Sequence, residues 1–192
     1  FNKEDILIKN ITYDNLNIFS DDKDFLLGTK IIIDIIKNKK KTLIFGDYDV
    51  DGISSITILS SYFRHLGHPF KYVIPDRIID GYGPNIKLLE QNLDKEIDNI
   101  IFLDCGSNSH NVINYLNKKK IKSIIVDHHI INDLDMPKSN VIINPTKNNQ
   151  KFIKNNVCAA TLTFFFVDLI NKKLNSKFKL NDYFIFSIIS TI

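Results

Sequence analysis

Cysteine is scarce: Cys105 and Cys158 are the only two in 192 residues. Two thiols cannot build a disulfide framework, which points to a reducing compartment, the cytoplasm, and to cysteines that serve as small core residues. Long apolar runs are lacking as well. The most hydrophobic stretches, such as Thr161–Ile170, are too short to span a bilayer and contain Asp168, so no membrane association is expected. No targeting pattern is legible at the N-terminus. Arginine is almost missing, with Arg64 and Arg77 the only two among 25 basic residues. Lysine, isoleucine and asparagine abound instead, which suggests AT-rich coding, so lysine content alone marks no nucleic-acid surface. The net charge of +3 leans only slightly toward anionic partners. There are no repeats and no low-complexity linkers; Lys147–Asn156 reads as a polar loop rather than a domain boundary.

What is present is an ordinary globular balance, 44% apolar and 24% charged, in a chain long enough to bury a core without staples. Helical patterns cover 23–38, 54–66, 85–93, 110–117, 157–174 and 182–192. Gly67 stands where a helix C-terminus needs a left-handed residue. Short buried-strand runs cover 42–45, 70–74, 99–103 and 122–126, with a further short strand at 141–143. Strands alternating with helices predict an α/β fold, a mostly parallel sheet with helices on both faces. Residues 1–40 read as a leading segment with one helix, and 41–192 as one domain. The chain starts at Phe1 and stops at Ser190-Thr191-Ile192 inside an apolar run, so it is expected to be a fragment.

Three of the four main strands run directly into carboxylates or histidines. The first delivers Asp47, Asp49 and Asp51 in GDYDVDG; the third delivers Asp104; the fourth delivers Asp127, His128 and His129. Strand ends share one edge of a parallel sheet, the edge where open α/β folds bind ligands. Carboxylates crowded there would raise one another's pKa unless a cation neutralised them. Oxygen ligands with one or two imidazoles suit Mn²⁺ or Mg²⁺ better than a thiolate-type zinc site. An EF-hand loop also begins with alternate aspartates, but its bidentate glutamate at loop position 12 would fall on Ile58, within an apolar helix. Helix capping explains at most one of the three aspartates, and Asp51 is the expected cap. His65, His68 and His110 flank helix ends and are expected to be structural. The triple phenylalanine 164–166 is expected in the core.

The motifs GDYDVDG, LDCG (103–106) and VDHH (126–129), in that order and spacing, resemble the DHH phosphoesterase superfamily, with its Rossmann-like fold. IPDRIIDGYGPN (74–85), INPT (143–146) and CAATLTFF (158–165) resemble the corresponding segments of its RecJ family of bacterial exonucleases. The resemblance covers roughly residues 40–192. It implies metal-dependent 5′→3′ hydrolysis of single-stranded DNA in repair and recombination, by a monomer that could meet single-strand-binding and recombination proteins.

Carried over by position, Asp49, Asp51, Asp104 and His128 would be metal ligands in a two-metal Mn²⁺ or Mg²⁺ site, joined by Asp47. His129 would contact the scissile phosphate and Arg77 a second phosphate, while Asp127 would support a histidine from behind. The family places one more metal-binding aspartate after a stretch whose counterpart here is Ser190-Thr191-Ile192. Its DHHA1 domain and OB-type module have no counterpart in these 192 residues. Weak or no nuclease activity is therefore expected of this chain by itself. Competing readings are a DHH phosphodiesterase for short oligonucleotides or cyclic dinucleotides, or a pyrophosphatase, and a non-catalytic nucleic-acid-binding relative. The IPDRIIDGYG segment favours the exonuclease.

Overall fold

A computed structural model describes residues 19–147 and 157–189. Most of the 147–156 loop, the first part of the leading segment and the Ser190–Ile192 end lie outside the described residues. The elements run α1 (Lys23–Lys37), β1 (Lys41–Gly46), α2 (Val50–His65), β2 (Phe70–Val73), α3 (Ile86–Asn92), β3 (Ile97–Leu103) and α4 (His110–Lys118). They continue with β4 (Lys122–Val126), β5 (Val141–Ile143), α5 (Ala159–Leu174), a 3₁₀ turn (Leu180–Tyr183) and α6 (Phe184–Ile189). The α/β reading of the sequence holds, and most boundaries agree within two residues. The clearest difference is α2, which begins four residues earlier than its apolar pattern suggests.

All five strands are parallel, in the order β2-β1-β3-β4-β5. Alternate strand residues feed two cores. Ile44, Ile101, Leu103, Ile124 and Val126 pack with apolar residues of α1, α2 and α5. Leu43, Phe45, Ile100, Phe102 and Ile125 pack under α3 and α4. Burial on both faces is why these strands read as continuous apolar runs instead of alternating ones. Chain direction across the sheet reverses between β1 and β3, the switch point at which open α/β sheets leave a crevice beyond their carboxyl ends.

The chain punctuation follows local chemistry. Asp22 caps α1 by accepting from the Asp24 and Phe25 amides. Leu66 ends α2, and Gly67 after it adopts φ +63°, as its position predicts. Cys105 and Cys158 are both buried, as are Phe164 and Phe166.

His68 is likewise structural and predicts a pH response. It is buried, its Nε2 lies 2.8 Å from the Thr42 hydroxyl, and Nδ1 has no partner. Thr42 donates to the Lys40 carbonyl, so it accepts from Nε2–H. A second ring proton would point into apolar surroundings, and burial lowers the pKa from 6.5 to about 4. A folded pKa below the unfolded one means stability is complete above pH 6.5 and is lost as pH falls toward 4. The loss is on the order of 3 kcal/mol. Urea midpoints between pH 8 and 4.5 should show this slope in the native chain, and His68→Gln should flatten it.

Candidate metal centre

The backbone places the acidic residues before any side chain does. The strand register pairs Gly46 with Leu103, Leu103 with Val126 and Val126 with Ile143. One residue further on, the ladder continues into the loops: Asp47 N–H donates to Leu103 O (3.2 Å), Asp104 N–H to Val126 O (2.9 Å) and Asp127 N–H to Ile143 O (3.0 Å). Asp47, Asp104, Asp127 and Asn144 therefore stand in a row on strands about 4.8 Å apart. This row crosses the switch point.

The turn after β1 is set by its last glycine. A Cβ on Gly52 would sit 2.6 Å from the carbonyl carbon and 2.7 Å from the nitrogen of Asp47, so the first turn of α2 lies directly on the Asp47 backbone. Asp49 is the N-cap of α2, accepting from Gly52 N–H at 2.9 Å. The sequence assigns that cap to Asp51, and the structure corrects it. Capping from Asp49 brings Asp51 into the first turn, where its two oxygens accept from Ala159 N (2.8 Å) and Ala160 N (2.7 Å) at the start of α5. The periodic pattern misses this start because Val50 and Ile53 are exposed.

Among the described residues, two groups of ligand-type atoms form, each within 4.8 Å: Asp47, Asp49 and Asp104, and Asp104, His128 and His129. Asp104 is common to both. Asp51 lies outside both groups, but its carboxylate is 3.4 Å from His128 Nε2, itself 3.3 Å from Asp104. Asp104 has φ +60°, and both its carboxylate oxygens are buried without a hydrogen-bond partner, as is Oδ1 of Asp47. Burial, then the charges of Asp51 and Asp49, hold Asp104 well above the ordinary carboxylate range. Burial also raises Asp47. Buried oxygens left bare amid like charges are the donor set that a divalent cation completes.

Asp127 is different in kind. Its carboxylate accepts from the Ser107, His128 and His129 amides and lies 2.7 Å from His129 Nδ1. Burial opposes its ionisation, but the His129 ring and Ser107 outweigh burial and bring the pKa down to about 2. The same contact raises the His129 pKa. Asn144 donates to the Ser107 hydroxyl and to the His129 carbonyl, and Thr146 donates to that carbonyl too. INPT thus braces the histidine loop, a role that no residue-level signal in those four letters reveals. Arg77, the other expected phosphate contact, is exposed and lies over the Tyr48 ring, 5.6 Å from its centroid.

Beside the carboxylates opens a cleft of about 240 Å³ lined by Tyr82, Gly83, Pro84, Gly106–Ser109, Asp127 and His129. Tyr82 enters the site through a hydroxyl 3.0 Å from Nε2 and 3.3 Å from Nδ1 of the His129 ring. In the sequence Tyr82 stands in GYG with no motif that marks it as a site residue, its two glycine neighbours being the available signal.

The sequence model of the DHH family's N-terminal domain matches residues 41–188. A curated relative, the single-stranded-DNA-specific exonuclease RecJ of Haemophilus influenzae, is 25% identical over 147 residues, 76% of this chain and 25% of its own length. Among solved structures, exonuclease RecJ bound to manganese superimposes with a TM-score of 0.79 at 22% identity, over 88% of this chain and 42% of that one. RecJ from Thermus thermophilus in complex with Mn²⁺ gives 0.73 at 20% identity, over 88% and 24%. The chain thus spans about a quarter of the length of that curated relative.

Proposed function

The chain belongs to the DHH family, and we propose on that premise that it hydrolyses phosphodiester bonds of single-stranded DNA from the 5′ end with Mn²⁺ or Mg²⁺, in DNA repair and recombination. The observation that carries this reading is Asp104, whose two bare, buried oxygens join both ligand groups. Asp47, Asp49 and Asp104 would hold one cation, and Asp104 with His128 a second, with Asp51 beside His128 as a further ligand. Bound divalent cations supply an acidified water and offset charge on the phosphate oxygens.

The protein's own groups do the rest. His129, held by Asp127, faces the cleft as a donor to phosphate. Arg77 offers a planar guanidinium whose direction the Tyr48 ring helps to set. Single-strand-binding and recombination proteins are the partners this function would bring, and the cytoplasm its compartment.

The test is a time course on 3′-labelled, 5′-phosphorylated single-stranded, duplex and dinucleotide substrates with Mn²⁺, using the native chain and Asp49→Ala. Expected is slow Mn²⁺-dependent shortening of the long single strand, little on duplex, and loss in Asp49→Ala. A preference for dinucleotides would replace this reading with a short-oligonucleotide phosphodiesterase. Single-strand binding without cleavage, unaffected by Asp49→Ala, would replace it with a binding module.

A further inference from the structure

The edge of the sheet opposite the metal centre has the reverse charge. The chain enters β1 from α1 through Lys37, Lys39, Lys40 and Lys41, and enters β4 from α4 through Lys118, Lys119, Lys120 and Lys122. Residues 37–41 and 118–122 hold eight lysines and no acid, whereas residues 46–52 and 127–135 on the metal edge hold six aspartates and no lysine or arginine. The net charge of +3 therefore conceals two faces of opposite sign, about 20 Å apart along the six residues of β1. A compositional excess of lysine would spread over every exposed surface; here the charges are sorted.

The two lysine turns are neighbours. Thr42 and Lys122 both pair with Asn99 of β3, which sets the turns about 10 Å apart, and Lys122 Nζ lies 4.0 Å from Asp34 of α1. The acids at the start of β3 are already engaged, Asp98 with Lys40 at 2.7 Å, and Asp94 and Glu96 with Lys41 at 2.8 and 2.9 Å. Among the described residues, Lys37, Lys39, Lys118 and Lys120 are exposed and have no carboxylate partner. Helix C-termini favour basic residues, which accounts for Lys37 and Lys118. That preference does not account for Lys39 and Lys120, which lie beyond the helices with φ +50° and +61°. Glycine or asparagine takes such a conformation more easily, so local structure asks for lysine at neither position.

We propose that this edge is a second nucleic-acid surface, which holds duplex DNA by its phosphates. Ammonium groups on flexible stems suit phosphate contacts that read no bases. Neither turn exposes an aromatic or large apolar side chain. The ring of Tyr115 is tied to Glu90 through its hydroxyl and lies under Lys119 Nζ, 5.0 Å from the centroid. Unpaired bases find no stacking platform there, and a duplex needs none. Binding at this edge requires no catalysis, so it stands or falls apart from the cleavage reading.

The experiment is fluorescence anisotropy of a labelled duplex of about 30 base pairs with the 192-residue chain in EDTA, where the aspartates of the metal edge repel phosphate. Salt is varied from about 50 to about 200 mM. A variant carrying Lys39→Asn, Lys118→Gln and Lys120→Asn is compared with one carrying Lys23→Gln, Lys30→Gln and Lys87→Gln, three exposed lysines away from both turns. The two variants lose the same net charge, and asparagine keeps the left-handed turns. Native protein should bind with a log–log salt slope of about −4. The turn variant should bind at least tenfold more weakly at the lowest salt, with a slope shallower by about 3, and the other variant should stay within about threefold of native. Equal weakening of both variants, or no duplex binding by native protein, overturns the proposal. So does stronger competition by an unlabelled single strand, which would mean base contacts, or by polyglutamate, which would mean an acidic protein partner.

Discussion

Asp104→Asn should raise the unfolding midpoint of the metal-free chain and, in the same molecule, abolish both stabilisation by Mn²⁺ and phosphodiester cleavage. The two effects have one source. Asp104 is buried, its oxygens accept no hydrogen bond, and it faces Asp49 and Asp51, with the His128 imidazole 3.3 Å away. Without a cation this is an uncompensated cost of folding at neutral pH, since a carboxylate held above its ordinary pKa weakens the fold once pH passes its unfolded value. The metal-free fold must take up a proton on Asp104 at neutral pH, whereas an amide is neutral without one and brings two donors that neighbouring carboxylates can accept. Asparagine also tolerates the φ of +60° that Asp104 adopts. The gain in metal-free stability should be about 1–3 kcal/mol.

With saturating Mn²⁺ the order reverses, because the native site gains about 3 kcal/mol at 100 times Kd and the variant does not. Metal affinity should fall by more than about 100-fold, since even removal of groups behind a ligand costs 10- to 100-fold. Thermal melts of both proteins with and without Mn²⁺, with metal titration by calorimetry, check each part. A variant less stable than native without metal would show that Asp104 has a structural partner.

Gly52→Ala should be the most damaging single-methyl change at the site. Most glycines are explained by backbone angle, but Gly52 is explained by contact. Its added Cβ would meet the Asp47 backbone at 2.6–2.7 Å, and backbone cannot rotate away as a side-chain tip can. The first turn of α2 or the end of β1 must move, so the cost should reach about 3 kcal/mol or more. Asp47 belongs to one ligand group and Asp49 caps the displaced turn. Metal binding should therefore weaken together with stability. Gly67→Ala, at an open left-handed position, is the control: it should cost only about 1–2 kcal/mol and leave metal binding unchanged. Equal effects of the two substitutions on metal affinity would refute the contact argument.

Much of the architecture was legible in the linear chain. Strand-length apolar runs separated by helical patterns identified a parallel α/β sheet, because burial on both faces leaves a composition that one-sided sheets lack. Carboxylates and histidines at three strand ends marked the functional edge for the same reason. Failure of the EF-hand pattern at Ile58 excluded a calcium loop without coordinates. The start of α2 was illegible because its first turn exposes Val50 and Ile53 to solvent, and exposed apolar residues break the periodicity that signals a helix. Asp51 looked like a cap because spacing cannot tell which of two nearby aspartates turns back toward its own helix.

Residue type, order and strand-end position thus determined the fold class and the set of groups around the site. Only the tertiary structure decided how those groups divide the work. Asp104 and Asp127 occupy equivalent places one residue beyond neighbouring strands, yet one accepts no hydrogen bond and the other accepts from Ser107, His128 and His129. That difference comes from which loops fold back over each strand end. Long-range contacts of this kind, from INPT to the His129 carbonyl and from Tyr82 to the His129 ring, leave no periodicity in sequence because the partners are brought together by the sheet.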